Sequence, residues 1–229
     1  MGVHAEVVRL DWASEFFAMR CARLVFSVGA GPLALPAVRR FDVVEAKIGA
    51  DRPGTAAALK ALGFRDVEGA VDFVLPVPGK TGSAHVPAGE ADIPRLREIV
   101  PGVFRTSRFR PPWYTEAQRD DFYRQWLENA VHGSYDDECL LVREGGDIAG
   151  YVTVRRTGED SARVGLLAAA PGWTGRGIGG RLVAAAQHWC AARGVRRLTI
   201  VTQPGNLAAI RSYQAHGGVV SAKARWMYR

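Results

Sequence analysis

The 229-residue sequence predicts an α/β (α+β) protein with a central mixed, mostly antiparallel sheet flanked by helices and a smaller N-terminal α/β part. Three observations predict it. From residue 91 onward, apolar positions switch between helical and strand periods in a regular order. A glycine cluster, "TGRGIGG" at 174–180, joins a strand to a helix. The aperiodic stretch "PGKTGSAHVPAGEADIP" at 78–94, rich in Gly, Pro and Ala, divides the chain. Its core gives a connection over 79–90, between an N-terminal domain at 1–78 and a C-terminal domain at 91–229.

The C-terminal elements follow in order. "ADIPRLREIV" spaces Ile93, Leu96 and Ile99 as a helix face. "EAQRDDFYRQWLENAVHG" does the same with Phe122, Trp126, Leu127 and Ala130, and stops at Gly133. "CLLVREGGDIAGYVTVRR" reads as two strands hinged at Gly145-Gly146. "SARVGLLAAA" is a strand and "GRLVAAAQHWCAARG" a helix closed by Gly194. "RRLTIVT" is a strand, "NLAAIRSYQAHGG" a helix and "VVSAKARWMYR" a last strand. The order is α-α-β-β-β-α-β-α-β. The N-terminal "FDVVEAKIGADRPGTAAALKALGFRDVEGAVDFVLPV" reads strand, helix, strand, and its "KALGF" echoes the later "QAHGG". That echo fits a degenerate internal repeat and equally any βαβ-like unit.

Composition narrows the function. Hydrophobic residues are 48% and charged residues 23%, which suits a globular protein. No apolar run reaches the roughly 18 residues of a membrane span, and "MGVHAEVVRL" carries no signal pattern. A cytoplasmic protein without a membrane partner is expected. Cys21, Cys139 and Cys190 are far apart and the five histidines scattered, so reduced core thiols and no metal site are expected. The net charge of +7 suits a polyanion, but its spread lacks the stripe of a nucleic-acid binder. A small, multiply phosphorylated ligand fits at least as well as DNA, with solubility as the plainer explanation.

Gly175, Gly177 and Gly180 satisfy G-x-G-x-x-G. A Walker loop needs Gly-Lys-Ser/Thr at its end, and this loop ends Gly179-Gly180-Arg181-Leu182, with no Lys and no hydroxyl. A dinucleotide fold needs an acid about 20 residues on, and "RRLTIVTQ" has none. A third reading keeps the physics. Glycines let the backbone curl so that successive N–H groups and the helix dipole face one concavity, where a pyrophosphate can sit. A plain strand–helix connection is the rival. The helix beginning at Asn206 places Asn206, Ile210 and Tyr213 on one face.

These features together resemble the Gcn5-related N-acetyltransferases (GNAT): antiparallel strands, "GLLAAAP", an x-x-G-x-G turn, and an N-x-x-A-x-x-x-Y helix. The resemblance implies a GNAT fold from about residue 91 to the end and acetyl-CoA as cosubstrate. Over nearly the whole chain, "SRFRPPWY", "FYRQWLENAVHG" and "RWMYR" are similar to the dTDP-fucosamine acetyltransferases, which acetylate the 4-amino group of dTDP-4-amino-4,6-dideoxygalactose. That group has an N-terminal partial GNAT-like domain, and the resemblance allows a homodimer.

The resemblance implies roles residue by residue. The loop Thr174, Gly175, Arg176, Gly177, Ile178 and Gly179 would hold the pyrophosphate, with Gly180 incidental. Thr174 stands where the family often has Gln or Arg, and Arg176 supplies charge. Leu166, Leu167 and Ala168 would pair through their backbone with the pantetheine arm, one N–H serving as oxyanion donor. Tyr213 is the general acid implied, since a phenol of ordinary pKa near ~10 is protonated at neutral pH; on residues alone it reads more readily as a core aromatic, and the resemblance reverses that preference. Ser212, after Arg211, stands where a basic residue is expected. Asn206 caps its helix or touches the cofactor. No base is identified, since Glu159 and Asp160 precede the strand and the strand has none, which leaves an ordered water. In "TSRFRPPWY", Arg108 and Arg110 suit a pyrophosphate and Trp113 and Tyr114 a sugar or thymine face; a packed, solvated loop is the alternative. Rival functions are a GNAT acting on an antibiotic amine, another nucleotide sugar or a protein N-terminus, and a non-catalytic acyl-CoA-binding module.

Overall fold

A computed structural model of the chain describes residues 2–79 and 85–229. Ten strands and seven α-helices follow along the described residues. The first half holds β1 (Glu6–Arg9), α1 (Asp11–Phe17), β2 (Cys21–Val25), α2 (Leu35–Val38), β3 (Val43–Gly49), α3 (Pro53–Ala61), β4 (Arg65–Pro76) and β5 (Val86–Pro87). The second half holds α4 (Ile93–Ile99), α5 (Glu116–Val131), β6 (Glu138–Glu144), β7 (Asp147–Arg156), β8 (Ser161–Ala169), α6 (Ile178–Ala192), β9 (Arg197–Thr202), α7 (Leu207–Ala215) and β10 (Val219–Tyr228). The expected order after residue 91 is present, and β5, which pairs with β6, is an addition. Within the connection at 79–90, residues 80–84 lie outside the described residues.

The chain forms two compact units that are not contiguous in sequence. One holds residues 1–70, 107–118 and 222–229, the other 71–106 and 119–221. In the first, strands run in the order β1-β2-β3-β10, with β2 and β3 parallel. Helix α3 opens with Pro53 in its first turn, where proline's missing N–H costs nothing, and is followed by left-handed Gly63. Val44, Ala46 and Ile48 of β3 bury against Leu59 and Phe64.

In the second unit the order is β4-β9-β8-β7-β6-β5. The β6–β7 hairpin closes through Gly145 and Gly146 at φ 56° and 91°, flanked by the pair Glu144–Asp147. That two-residue turn matches the right-handed strand twist, and only glycine adopts both dihedrals cheaply. Helix α6 buries Leu182, Val183, Ala185, Ala186 and Trp189 against Val152, Val154, Val164 and Leu198. Helix α5 buries Phe122, Leu127 and Ala130 of the expected face and adds Tyr123, while Trp126 is half-buried. All three cysteines are free and buried. Among the described residues no helix is long and apolar enough to cross a membrane.

Gly150 of β7 fixes how closely α6 approaches the sheet. A Cβ there would lie 2.7 Å from Ile178 Cγ2 and 2.8 Å from the Ala168 carbonyl oxygen. Because a backbone atom is one of the obstacles, Gly150→Ala should lower unfolding free energy by about 1–3 kcal/mol. Urea denaturation measures this. An unchanged midpoint would mean that α6 rides higher than described.

Candidate active site

The site in the second unit begins where β8 loses a neighbour. β8 pairs with β7 from Ala162 to Ala169. Its parallel pairing with β9 covers only Ser161, Arg163 and Ala162 between them. From Val164 onward, one edge of β8 has no strand partner among the described residues, so its amide and carbonyl groups are open to an extended ligand. A register shift also falls here. Val152 pairs with Leu167 and Val154 with Val164, so Gly165 and Leu166 both lie opposite Thr153. The extra residue reverses the side-chain alternation. Ala162 and Val164 face the α6 core before the shift, and Leu167 and Ala169 pack against that core after it.

Beyond Ala169 the chain curls into the glycine loop. Gly172, Gly175 and Gly177 have φ of 85°, 76° and 76°, a conformation that other residues rarely adopt. Gly177 is the N-cap of α6, and the first bond of the helix is Arg181 N–H to the Gly177 carbonyl at 3.2 Å. By helix geometry, the N–H groups of Ile178, Gly179 and Gly180 precede any intrahelical acceptor and carry the positive dipole end. A Cβ at Gly175, Gly177 or Gly179 would meet open space, whereas one at Gly180 would come 3.1 Å from His216 Cε1. Gly180 therefore serves helix packing and Gly179 leaves room. Thr174 and Arg176 are exposed, with the Arg176 guanidinium 5.1 Å from the Trp173 ring centre.

Helix α7 carries Asn206 and Tyr213. The Asn206 side chain accepts from the Ala209 N–H at 3.2 Å, a capping bond. Tyr213 is 4% exposed and meets Phe73 edge-on with ring centres 5.5 Å apart. Burial raises its phenol above the usual tyrosine value, which keeps it protonated. His216 Nδ1 and the Ser212 carbonyl are 2.7 Å apart, and Gln187 donates to the Pro76 and His216 carbonyls, tying α6, α7 and β4 together. Among the described residues no group of three His, Cys, Asp or Glu is placed to hold a metal ion.

Residues 103–217 match the model of the acetyltransferase (GNAT) family. The chain is also 43% identical over 231 aligned residues to a dTDP-fucosamine acetyltransferase of Escherichia coli O6:H1 strain CFT073, covering 100% of both chains. This chain belongs to the GNAT acetyltransferase family. Its fold is shared with a GCN5-related N-acetyltransferase from Sphaerobacter thermophilus, at TM-score 0.58 and 20% identity, over 82% of this chain and 59% of that one. A tandem GNAT protein from the clavulanic acid biosynthesis pathway gives TM-score 0.62 at 16% identity, over 91% of this chain and 74% of that one. The protein is therefore an N-acetyltransferase, and the splayed β8, the glycine loop and α7 are parts of a GNAT fold.

The arginine–aromatic segment of this GNAT acetyltransferase lies in the first unit. Arg108 pairs with Glu45, donates to the Tyr228 hydroxyl, and stacks on Trp226 with its guanidinium carbon 4.0 Å from the ring centre. Arg23 also pairs with Glu45, whose side chain is 5% exposed. Two guanidiniums and one carboxylate leave one positive charge over. Arg110 donates to the Val67 carbonyl and pairs with Glu68 at 3.1 Å. Tyr114 is buried among Phe17, Phe109 and Tyr228, and Trp113 meets Tyr228 edge-on. Arg108, Trp113 and Tyr114 thus gather around Tyr228, while Arg110 turns to β4. Glu45 was missed in the sequence because it lies far from 105–114 along the chain, and Trp226 and Tyr228 were noted only within "RWMYR", with no role assigned. Asp136 and Thr153, buried beside the β8 shift, were missed as well. No local pattern marks either group.

Gly177→Ala places a side chain where φ is 76°. It should weaken acetyl-CoA binding by about tenfold, since strained αL backbone costs on the order of 1 kcal/mol or more. Gly180→Ala should chiefly lower stability. Calorimetric titration and thermal melts separate the two effects.

Proposed function

We propose that this enzyme transfers the acetyl group of acetyl-CoA to the 4-amino group of a dTDP-linked 4-amino-4,6-dideoxy sugar of the galactose type. The observation that carries this reading is the 43% identity to the dTDP-fucosamine acetyltransferase over the full length of both chains. In this reading residues 1–78 are a partial GNAT-like domain, 79–90 their connection and 91–229 the catalytic domain. The enzyme is a cytoplasmic homodimer acting on a small molecule, with no nucleic-acid or membrane partner and no metal.

The residues divide the work as follows. Thr174, Gly175, Arg176, Gly177, Ile178 and Gly179 hold the pyrophosphate of acetyl-CoA through backbone N–H groups at the start of α6. The open edge of β8 at Leu166, Leu167 and Ala168 pairs with the pantetheine amides and fixes the thioester within reach of the amine. An N–H of that edge donates to the carbonyl oxygen as charge develops on it. The neutral amine attacks, the C–N bond forms and the C–S bond breaks. Tyr213 donates its phenolic proton to the departing sulfur, and a water carries the ammonium proton away. Asn206 keeps its oxygen for capping and turns its amide nitrogen toward the cofactor. Arg108, Arg110 and Trp113 recognise the acceptor, whereas Tyr114, expected to offer a sugar or thymine face, is buried and supports that segment from behind. The surplus positive charge around Glu45 favours a dTDP pyrophosphate over a cationic amine.

The test is CoA thiol release with dTDP-4-amino-4,6-dideoxygalactose set against aminoglycosides, other amino-sugar nucleotides and peptide N-termini. Turnover of the dTDP sugar alone is expected, and turnover of another amine with none for the dTDP sugar rejects the reading. In the same assay Tyr213→Phe should lower kcat by about 10²- to 10⁴-fold, the range of general-acid contributions, with acetyl-CoA affinity retained. A variant with full kcat removes Tyr213 from the acid role.

A further inference from the structure

The register shift in β8 creates a local problem. Two residues, Gly165 and Leu166, face a single partner, Thr153, so one ladder hydrogen bond is lost in a buried place. An N–H stranded there would be costly. The chain answers with a side chain. The Leu166 N–H donates to Thr153 Oγ1 at 2.8 Å. The Thr153 hydroxyl in turn donates to Asp136 Oδ2 at 2.5 Å, and Trp126 Nε1 donates to the same oxygen at 2.7 Å.

The direction of each bond matters. A carboxylate only accepts, so Asp136 draws the single hydroxyl proton of Thr153 to itself. The lone pairs of Oγ1 are then left to the Leu166 N–H. Without the carboxylate the hydroxyl could rotate, and the N–H would compete for it. Asp136 and Thr153 are both 0% exposed, so no solvent offers a substitute. Asp136 Oδ1 has no hydrogen-bond partner among the described residues, and its nearest countercharge is Arg155 Nε at 3.9 Å. A buried carboxylate kept at this cost calls for a role beyond packing. Gly165 fits the same device. A Cβ there would collide with the Asp136 carboxylate and lie 2.6 Å from Thr153 Oγ1.

We propose that Asp136, acting through Thr153, is a positioning residue that holds the β8 bulge and thereby aims the backbone of Leu166, Leu167 and Ala168 at the acyl group. The proposal rests on the reading of β8 as the pantetheine strand. The bulge decides which side chains of β8 face the α6 core, and the same turn of the backbone sets where its N–H groups point. Asp136 touches neither substrate, and its effect passes through one hydroxyl and one amide.

The experiment compares Thr153→Val, Thr153→Ser, Asp136→Ala and Asp136→Asn in the full chain. It reads kcat and KM for acetyl-CoA with dTDP-4-amino-4,6-dideoxygalactose, and hydrogen exchange of the Leu166 amide by NMR. Thr153→Val and Asp136→Ala should each lower kcat roughly 10- to 100-fold, as misplacement of about 1 Å does, with KM for acetyl-CoA changed less than about threefold. Their double variant should be no worse than either single one, because both cut one chain of bonds. Thr153→Ser and Asp136→Asn, which keep a hydroxyl and an acceptor oxygen, should restore most of the rate. Leu166 exchange should quicken in the first pair alone. Thr153→Val with unchanged kcat or unchanged Leu166 protection overturns the proposal, and so does a serine variant that fails to rescue. Should Asp136→Ala fail to fold, the Thr153 pair decides. Should the unaltered protein neither bind nor use acetyl-CoA, the functional reading falls, and Leu166 exchange alone decides whether Asp136 and Thr153 hold the bulge.

Discussion

The parallel pairing between β8 and β9 ends after Arg163, and from Val164 onward β8 keeps a strand neighbour on one side only. Backbone donors and acceptors must find partners, so an edge inside a sheet is costly unless a ligand or water meets it. The other features of the second unit are arranged around that edge. The bulge at Gly165 and Leu166 turns the strand as it leaves β9. The glycines that follow bring the chain round into α6, so the dipole of that helix lies at the end of the same strand. Gly150 and Gly180 let α6 lie close to β7 and to His216, which caps the end of α7. Helix α7, capped by Asn206, carries Tyr213 with its proton retained by burial.

This arrangement accounts for an economy of side chains. In the proposed reading a thioester and a pyrophosphate are held through backbone groups, which needs glycines and an open strand, and little else. It also explains why the strand, "VGLLAAA", carries no polar residue. Charge is placed elsewhere. In the first unit, Arg108 and Arg23 share the buried Glu45 beneath Trp226 and Tyr228. In the second, Asp136 is buried against Trp126 and Thr153. Both carboxylates orient donors, and neither is exposed enough to act as a solvent-facing base.

Much of the fold was legible in the sequence because its signals are local. Gly145-Gly146 announced the hairpin, and Gly133, Gly194 and Gly217 announced helix ends, since each must take positive φ. Most of the buried face of α5 followed from spacing, with Tyr123 added and Trp126 left half-buried. The glycine loop showed its shape, though Gly180 joined a dinucleotide pattern by chance and its reason is His216. What could not be read was non-local. Thr153 reaches Leu166 across 13 residues and Asp136 across 17. The bulge left no trace because β8 alternates polar and apolar only from Ser161 to Val164, and from Val164 onward, where the shift falls, its residues are apolar on both faces. The partners of Arg108 lie 63 and 120 residues away.

The central claim is that the half-paired strand and the glycine loop form one acetyl-CoA site. Amide hydrogen exchange of the full chain, measured with and without CoA, tests it most directly. The account predicts slowed exchange confined to two stretches, Val164 to Ala169 and Thr174 to Gly180, with the strands of the first unit unchanged. CoA binding that leaves both stretches exchanging at their free rates would contradict it.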